Sequence, residues 1–313
     1  MPHTIQSLLT HDKAALEAAL ELDSGSARIE VQCLLQAVLQ VNRAYLLTHP
    51  EQILDAGQQA HYAALLERRL SGEPLAYILG EREFFGLMFR VTPATLIPRA
   101  DTELLVELAL QRIPQPSPQP SPCTRRGHPR RERQQSCSHW RDGRGSLFRV
   151  LDLGTGSGAI ALPIAHARPD VEVTAVDASQ EALGVARENA RRLNIGNVRL
   201  LQSDWFAILA GERFDLIVSN PPYIAEGDAH LAQGDLRFEP RDALASGADG
   251  LDDIRRIVAG AKEHLDAGGW LLFEHGYDQA GRVRELLGAA GYAEVFSARD
   301  LAGIERVSGG RAC

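Results

Sequence analysis

The hydrophobic pattern of the chain changes character along its length. From Ile5 to Ser71 apolar residues recur at helical spacing: Leu16 and Leu20, then Val31, Leu34, Leu35 and Val38, then Tyr62, Leu65 and Leu66. The breaks fall at "DSGS" and "THPEQ", so the pattern predicts a small bundle of helices. "REFFGLMFRV", Arg82 to Val91, then alternates around Gly86 and predicts a β-hairpin, and "TPATLIPRADTELLVE" leads from it into another helix. Beyond residue 147 apolar runs alternate with helical patterns, beginning with "RVLDLGTGSGAIALPIA" and continuing through "VEVTAVD", "VRLLQSDWF" and "FDLIVS". Strands alternating with helices predict an α/β domain built on a Rossmann-like sheet.

Between these regions one segment has neither period. Ile113 to Ser146 reads "IPQPSPQPSPCTRRGHPRRERQQSCSHWRDGRGS", Pro/Ser-rich and then Arg-rich, with almost no aliphatic side chains. Such a composition cannot build a core and predicts a disordered linker insertion. Cys123, His128, Cys137 and His139 lie within it but lack the paired C-x₂-C spacing of a structural zinc site, so no metal is assigned. The chain therefore divides into a helical domain over 1–75, a hairpin and connecting helix over 76–112, the insertion over 113–146 and the α/β domain over 147–313.

Composition narrows the classes of function. The 313 residues are 44% hydrophobic and 24% charged with a net charge of −8, enough for more than one core. Arg125, Arg126, Arg130, Arg131, Arg133, Arg141 and Arg144 of the insertion outnumber its acids Glu132 and Asp142, so the remainder is more acidic than the total. Stable binding to nucleic acid is therefore not expected. No apolar run approaches the roughly 20 residues of a membrane span, and the N-terminus has no basic start followed by an apolar stretch. The scattered Cys33, Cys123, Cys137 and Cys313 suit a reducing compartment. A cytoplasmic protein without membrane association is the expectation.

The chemistry concentrates where strands end. Val150 to Leu153 runs into Gly154-Thr155-Gly156-Ser157-Gly158 and then a helical pattern, the strand, glycine turn and helix of a nucleotide-binding unit. The next strand ends in Asp177, where a carboxylate can accept hydrogen bonds from both hydroxyls of a ribose. A dinucleotide fingerprint would read G-x-G-x-x-G and offer the helix N-terminus to a pyrophosphate. Here the spacing is G-x-G-x-G preceded by Asp152, which resembles motif I of the methyltransferases that use S-adenosyl-L-methionine (AdoMet). A cationic sulfonium is better served by carboxylates and carbonyls than by a helix N-terminus. Asp204 and Trp205 follow the third strand, where an adenine could stack on the indole and donate its amino group to the acid.

The fourth strand delivers "SNPPYI". An amide or exocyclic amine nitrogen is a poor nucleophile because its lone pair is delocalised, so a catalyst must orient it. Asn220 can accept one N–H through its side-chain oxygen and the Pro221 carbonyl can accept the other. Pro221 and Pro222 hold the segment extended without adding backbone donors, and Tyr223 offers a flat face to a planar group.

Together "TLIPRADTELLVE", "DLGTGSGAIAL", "SDWF", "VSNPPYI", "GDLRFEPRDAL" and "EHG" resemble the peptide chain release factor N5-glutamine methyltransferase family, over nearly the whole chain except the insertion. The resemblance implies a small N-terminal helical bundle, which recognises the release factor, joined to a seven-stranded AdoMet-dependent domain. It implies transfer of a methyl group from AdoMet to the glutamine of the Gly-Gly-Gln loop in class I peptide chain release factors. By this resemblance Gly154 to Gly158, Asp177, Trp205 and Asn220 would contact the cofactor, with Asp204 added from the strand-end chemistry above. Asn220, Pro221, Pro222 and Tyr223 would hold the glutamine. Ala100 departs from the family's "IPRPD", the insertion replaces a short connection, and Phe238-Glu239-Pro240 receives no role from residue chemistry. An N6-adenine methyltransferase acting on DNA or RNA shares Asn-Pro-Pro-Tyr, but the acidic chain disfavours it. A non-catalytic AdoMet-binding interaction protein is disfavoured by the intact tetrapeptide.

Overall fold

The computed structural model describes residues 4–115 and 147–313. The insertion read from the sequence, with its cysteines and histidines, falls almost wholly on 116–146 and lies outside the described residues. Its first residue needs correcting: Ile113 is buried in the core. Its carbonyl and that of Pro114 accept hydrogen bonds from the Arg168 guanidinium at 3.2 and 2.9 Å. An isolated aliphatic residue ahead of a proline-rich run carries no period, so its burial was not legible.

The residues form two compact units. The first comprises Met1–Arg82, Arg90–Ile97 and Gly227–Leu244. Its helices are α1 (Ile5–Leu20), α2 (Ser24–Leu39), α3 (Arg43–Thr48), α4 (Ala56–Leu70) and α5 (Leu75–Leu79). Thr4, Asp23, Asn42 and Asp55 cap the first four through side-chain oxygens that accept backbone N–H groups left unpaired at a helix start. Leu16, Val31, Leu34, Leu35, Leu46 and Tyr62 interlock in its core.

The interleaving of the two units departs from the linear division read from the sequence. Residues 227–244 leave the α/β fold after the Asn-Pro-Pro-Tyr segment and pack with the helical unit. Phe238 lies against Ala76, Tyr77, Val91 and Ile97. The buried Arg69 grips Glu30 with two hydrogen bonds, 2.7 and 3.1 Å, and stands 3.6 Å from Asp235. The "FEP" stretch is thereby accounted for as an anchor.

The second unit comprises Glu83–Phe89, Pro98–Glu226 and Ala245–Cys313. The hairpin β1 (Glu81–Phe84) and β2 (Leu87–Arg90) turns at Phe85-Gly86, both with positive φ. After α6 (Asp101–Arg112) come the strands β3 (Arg149–Leu153), β4 (Glu172–Asp177), β5 (Val198–Gln202), β6 (Phe214–Ser219), β7 (Leu265–Glu274), β8 (Ala293–Arg299) and β9 (Glu305–Arg311). They make one seven-stranded sheet in the order β5-β4-β3-β6-β7-β9-β8, parallel except for β9, which runs antiparallel to both neighbours. The α/β fold expected from the sequence is the one observed.

Helices α7 (Ala161–Ala167), α8 (Gln180–Arg192), α9 (Asp252–His264) and α10 (Ala280–Ala289) complete the unit. Two apolar clusters share the central strands. Val150, Leu216 and Val218 join Leu105, Val106 and Leu162 in one, while Leu151, Leu153 and Ile217 join Ile254, Ile257 and Val283 in the other. Strands covered on both faces carry aliphatic residues at adjacent positions, as Val150-Leu151 in β3 and Leu216-Ile217-Val218 in β6 do. Among the described residues no helix is long and apolar enough to cross a membrane.

Candidate active site

Parallel pairing brings the candidate residues to one edge. Leu153 is in register with both Val176 and Ser219, Asp177 with Gln202, and Ser219 with Phe273. The residues at the C-terminal strand ends, Gly154, Asp177, Asn220 and Glu274, therefore line the side where open α/β sheets bind ligands.

The glycine turn is held from below. Gly154 and Thr155 both donate their N–H to the Val176 carbonyl at 2.9 Å, and Asn189 of α8 donates to the Ser157 carbonyl at 2.9 Å. Gly158 has φ +88°, and a Cβ there would stand 2.7 Å from Leu162 Cδ1. Gly158→Ala is therefore expected to cost about 1–2 kcal/mol of stability through left-handed strain alone, read as a lowered thermal midpoint; an unchanged midpoint would contradict this account of the turn.

Asp152 lies beneath the turn, fully buried. Its Oδ2 accepts from the Thr155 hydroxyl at 2.7 Å and from the Ala161 N–H at 3.1 Å. Its Oδ1 has no hydrogen-bond partner. Burial pushes its carboxyl from the ordinary 3.8 up to about 7; the Thr155 and Ala161 bonds oppose the rise and nearby Asp177 adds to it.

Asp177 accepts the Gly156 N–H on Oδ2 and the Ser179 N–H on Oδ1, each at 2.8 Å. Burial raises its pKa and these two bonds oppose the rise. Trp205 turns back at φ +48°, its carbonyl accepting from the Ser203 hydroxyl at 2.8 Å. The indole covers Gly154, with Cζ3 placed 3.5 Å from where a Cβ would stand. Asp204 is not gathered with them: it is exposed and pairs with Arg256 of α9 at 3.1 Å.

Asn220 enters a network that the sequence reading did not contain. Its Nδ2 donates to Thr102 Oγ1 at 3.2 Å, and the Thr102 hydroxyl donates to Glu274 Oε2 at 2.7 Å. The Tyr223 hydroxyl donates to Glu274 Oε1 at 3.0 Å. Glu274 is buried, which raises its pKa; the Thr102 and Tyr223 bonds oppose the rise, Asp101 adds to it and Arg306 reduces it. Burial and the Glu274 charge push the Tyr223 phenol far upward, so it stays a donor. Behind this tetrapeptide Gln279 donates to the Tyr223 carbonyl at 2.8 Å and accepts the Gly276 N–H at 2.8 Å. Thr102 and Glu274 lie in "IPRADTELLVE" and "EHG", but neither stretch says by itself that the two side chains meet.

Comparison with known proteins decides the family. The chain is 51% identical over 304 residues to the release factor glutamine methyltransferase of Burkholderia pseudomallei, covering 95% of each chain. It is 45% identical over 288 residues to that of Escherichia coli, covering 92% of this chain and 93% of the relative. The chain belongs to the release factor glutamine methyltransferase family. Residues 7–80 match the PrmC N-terminal domain and residues 144–248 the methyltransferase small domain. Among solved structures, the hMettl16 catalytic domain in complex with the MAT2A 3'UTR hairpin 6 superposes with a TM-score of 0.52 at 16% identity. That match covers 79% of this chain and 81% of the other, a likeness of fold alone. In this release factor glutamine methyltransferase family member, the glycine turn and Asn220 thus stand at the sheet edge of a methyltransferase domain. Among the described residues no cluster of His, Cys, Asp and Glu could hold a metal ion.

Proposed function

We propose that this enzyme methylates the side-chain amide nitrogen of the glutamine in the Gly-Gly-Gln motif of class I peptide chain release factors, using AdoMet. One observation carries the reading: the sheet order sets Asn220 next to the glycine turn after β3, with Asp177 one strand further along the same edge, so a glutamine amide held at Asn220 meets a nucleotide-type site.

The residues present fit the cofactor. The glycine turn gives a close backbone approach, Asp177 offers carboxylate lone pairs to a ribose, and Trp205 offers an aromatic face. The partnerless Asp152 Oδ1 is a buried acceptor suited to a cationic ligand. Bound there, AdoMet supplies a methyl group activated by a sulfonium. The chain's own part is positioning. Asn220 Oδ1 accepts one N–H of the glutamine amide and the Pro221 carbonyl accepts the other, which aims the nitrogen lone pair at the methyl carbon. Tyr223 packs against the amide plane and Pro222 keeps the segment extended. Alignment and preorganised polar groups would then lower the barrier to in-line displacement, in which the amide nitrogen bonds to the methyl carbon as the carbon–sulfur bond breaks, the neutral thioether leaves and one N–H proton is released to solvent. The helical unit reads the rest of the release factor, and the protein works in the cytoplasm without stable nucleic-acid binding.

Labelled AdoMet incubated with a release factor, with its Gly-Gly-Gln to Gly-Gly-Ala variant and with duplex DNA separates the possibilities. Label in the first alone supports the proposal; label in DNA would replace it with an adenine methyltransferase.

Asp152 makes cofactor binding depend on pH. A cationic ligand favours the ionised carboxylate, so the bound pKa lies below the free value of about 7. Affinity is complete above that value and falls as pH drops through it, because the proton must be displaced. The expected loss between about pH 7.5 and about pH 6 is several-fold, up to roughly eightfold where the bound carboxyl stays ionised throughout. Calorimetric titration across that range checks it, and the slope should vanish in Asp152→Asn. A flat profile in the unmodified enzyme would remove Asp152 from the cofactor site.

A further inference from the structure

One hydrogen bond, to Thr102 Oγ1, sets how the Asn220 amide stands. Glu274 closes β7 at the register position after Phe273, which pairs with Ser219, so its carboxylate sits beside the strand that delivers Asn220. Ionised, it has only lone pairs to offer, and the two hydroxyls placed on its oxygens favour that form against its burial. Both hydroxyls that reach it, Thr102 Oγ1 at 2.7 Å and the Tyr223 phenol at 3.0 Å, must therefore donate. With its hydrogen committed to Glu274, Thr102 faces Asn220 with lone pairs alone. The Asn220 group 3.2 Å away must then be Nδ2, and Oδ1 must point the other way.

We infer that Glu274 and Thr102 are positioning residues for methyl transfer: the Glu274–Thr102 chain fixes which end of the Asn220 amide faces the substrate, and the same carboxylate holds Tyr223 through its other oxygen. The inference rests on the proposed role of Asn220 as the acceptor of the glutamine N–H. A reversed Asn220 would present a donor to a donor and turn the nucleophile away. One buried carboxylate thus sets both the amide and the ring of the tetrapeptide, with Thr102 supplied from α6 and Glu274 from β7.

The test uses the full-length enzyme with a release factor in single-turnover reactions, with AdoMet affinity and thermal midpoint measured alongside. Thr102→Val keeps the shape and loses the hydroxyl. It is expected to slow transfer on the order of 10- to 100-fold, as misplaced reacting groups do, with AdoMet Kd within about twofold. Thr102→Ser restores the hydroxyl and should recover the rate to within about threefold of the unmodified enzyme. Glu274→Gln keeps the volume but turns an amide NH₂ towards one hydroxyl oxygen, freeing that hydroxyl to rotate, and should also slow transfer about tenfold or more. In the Asn220→Ala background Thr102→Val should add no further loss, since the group it orients is gone. A purely structural Thr102 would multiply its loss onto that of Asn220→Ala, and this result would overturn the inference. So would full rates in a folded Thr102→Val or Glu274→Gln enzyme while Asn220→Ala is impaired. Full rates in Asn220→Ala itself would instead overturn the role of Asn220 on which the inference stands.

Discussion

Asn220→Ala is expected to lower kcat on the order of 10²-fold or more, as for loss of a preorganised polar group at a reacting centre. The side chain donates inward to Thr102, and in the proposed mechanism its oxygen accepts from the glutamine, so truncation removes the acceptor and leaves the strand-end backbone intact. Ser219 still donates to the Leu153 carbonyl at 2.8 Å and Gln279 still holds the Tyr223 carbonyl, which should preserve the fold and most of the AdoMet affinity. Asn220→Asp is the sharper probe. A carboxylate still accepts the substrate N–H, so partial activity should remain, yet it confronts the lone pairs of Thr102 and competes with Glu274 for one hydroxyl hydrogen. Single-turnover transfer to a purified release factor reads both variants. An alanine variant at the unmodified rate would reduce Asn220 to a turn residue and end the mechanism.

What the sequence disclosed and what it hid follow from how each feature is encoded. Helices of the first unit show a 3.6-residue period because one face packs inward, and β3 and β6 carry adjacent aliphatic residues, Val150-Leu151 and Leu216-Ile217-Val218, because both faces are covered. The strand ends were legible because the glycines, Asp177 and the two prolines are local signals. β9 was not singled out: "ERVSGGR" has too few side chains to look like a strand, although it lies between β7 and β8 in the sheet. Pairings between distant positions were equally hidden. Thr102 and Glu274 stand 172 positions apart and meet only because α6 packs beside the sheet edge. Asp204 shows the reverse: its place beside Trp205 suggested a ligand acid, while the fold turns it outward to Arg256, a partner 52 positions away. The attachment of residues 227–244 to the helical unit depends on Phe238 and Arg69, and neither carries that information in its own neighbourhood.

Asp177→Ala should weaken AdoMet binding by about 1.5–3 kcal/mol, the worth of lost hydrogen bonds to a charged group, or about 10- to 150-fold in Kd. Each carboxylate oxygen already holds one backbone N–H, Gly156 on Oδ2 and Ser179 on Oδ1, and retains a second lone pair for a ribose hydroxyl. In the proposed mode the side chain does two jobs at once: it accepts from the ligand, and it fixes the middle of the glycine turn. Alanine removes both, so the affinity loss should be larger than that from disturbing the turn alone. Asp177→Asn separates them, since an amide oxygen can keep one backbone N–H while the NH₂ opposes the other, leaving an intermediate affinity. The rate of methyl transfer at saturating AdoMet should fall far less than in Asn220→Ala, because the network around Glu274 does not pass through Asp177. Calorimetry on variants whose thermal midpoints confirm folding decides the point: an Asp177→Ala enzyme that binds AdoMet as tightly as the unmodified one leaves the carboxylate as a brace for Gly156 and Ser179, with no part in holding the ribose.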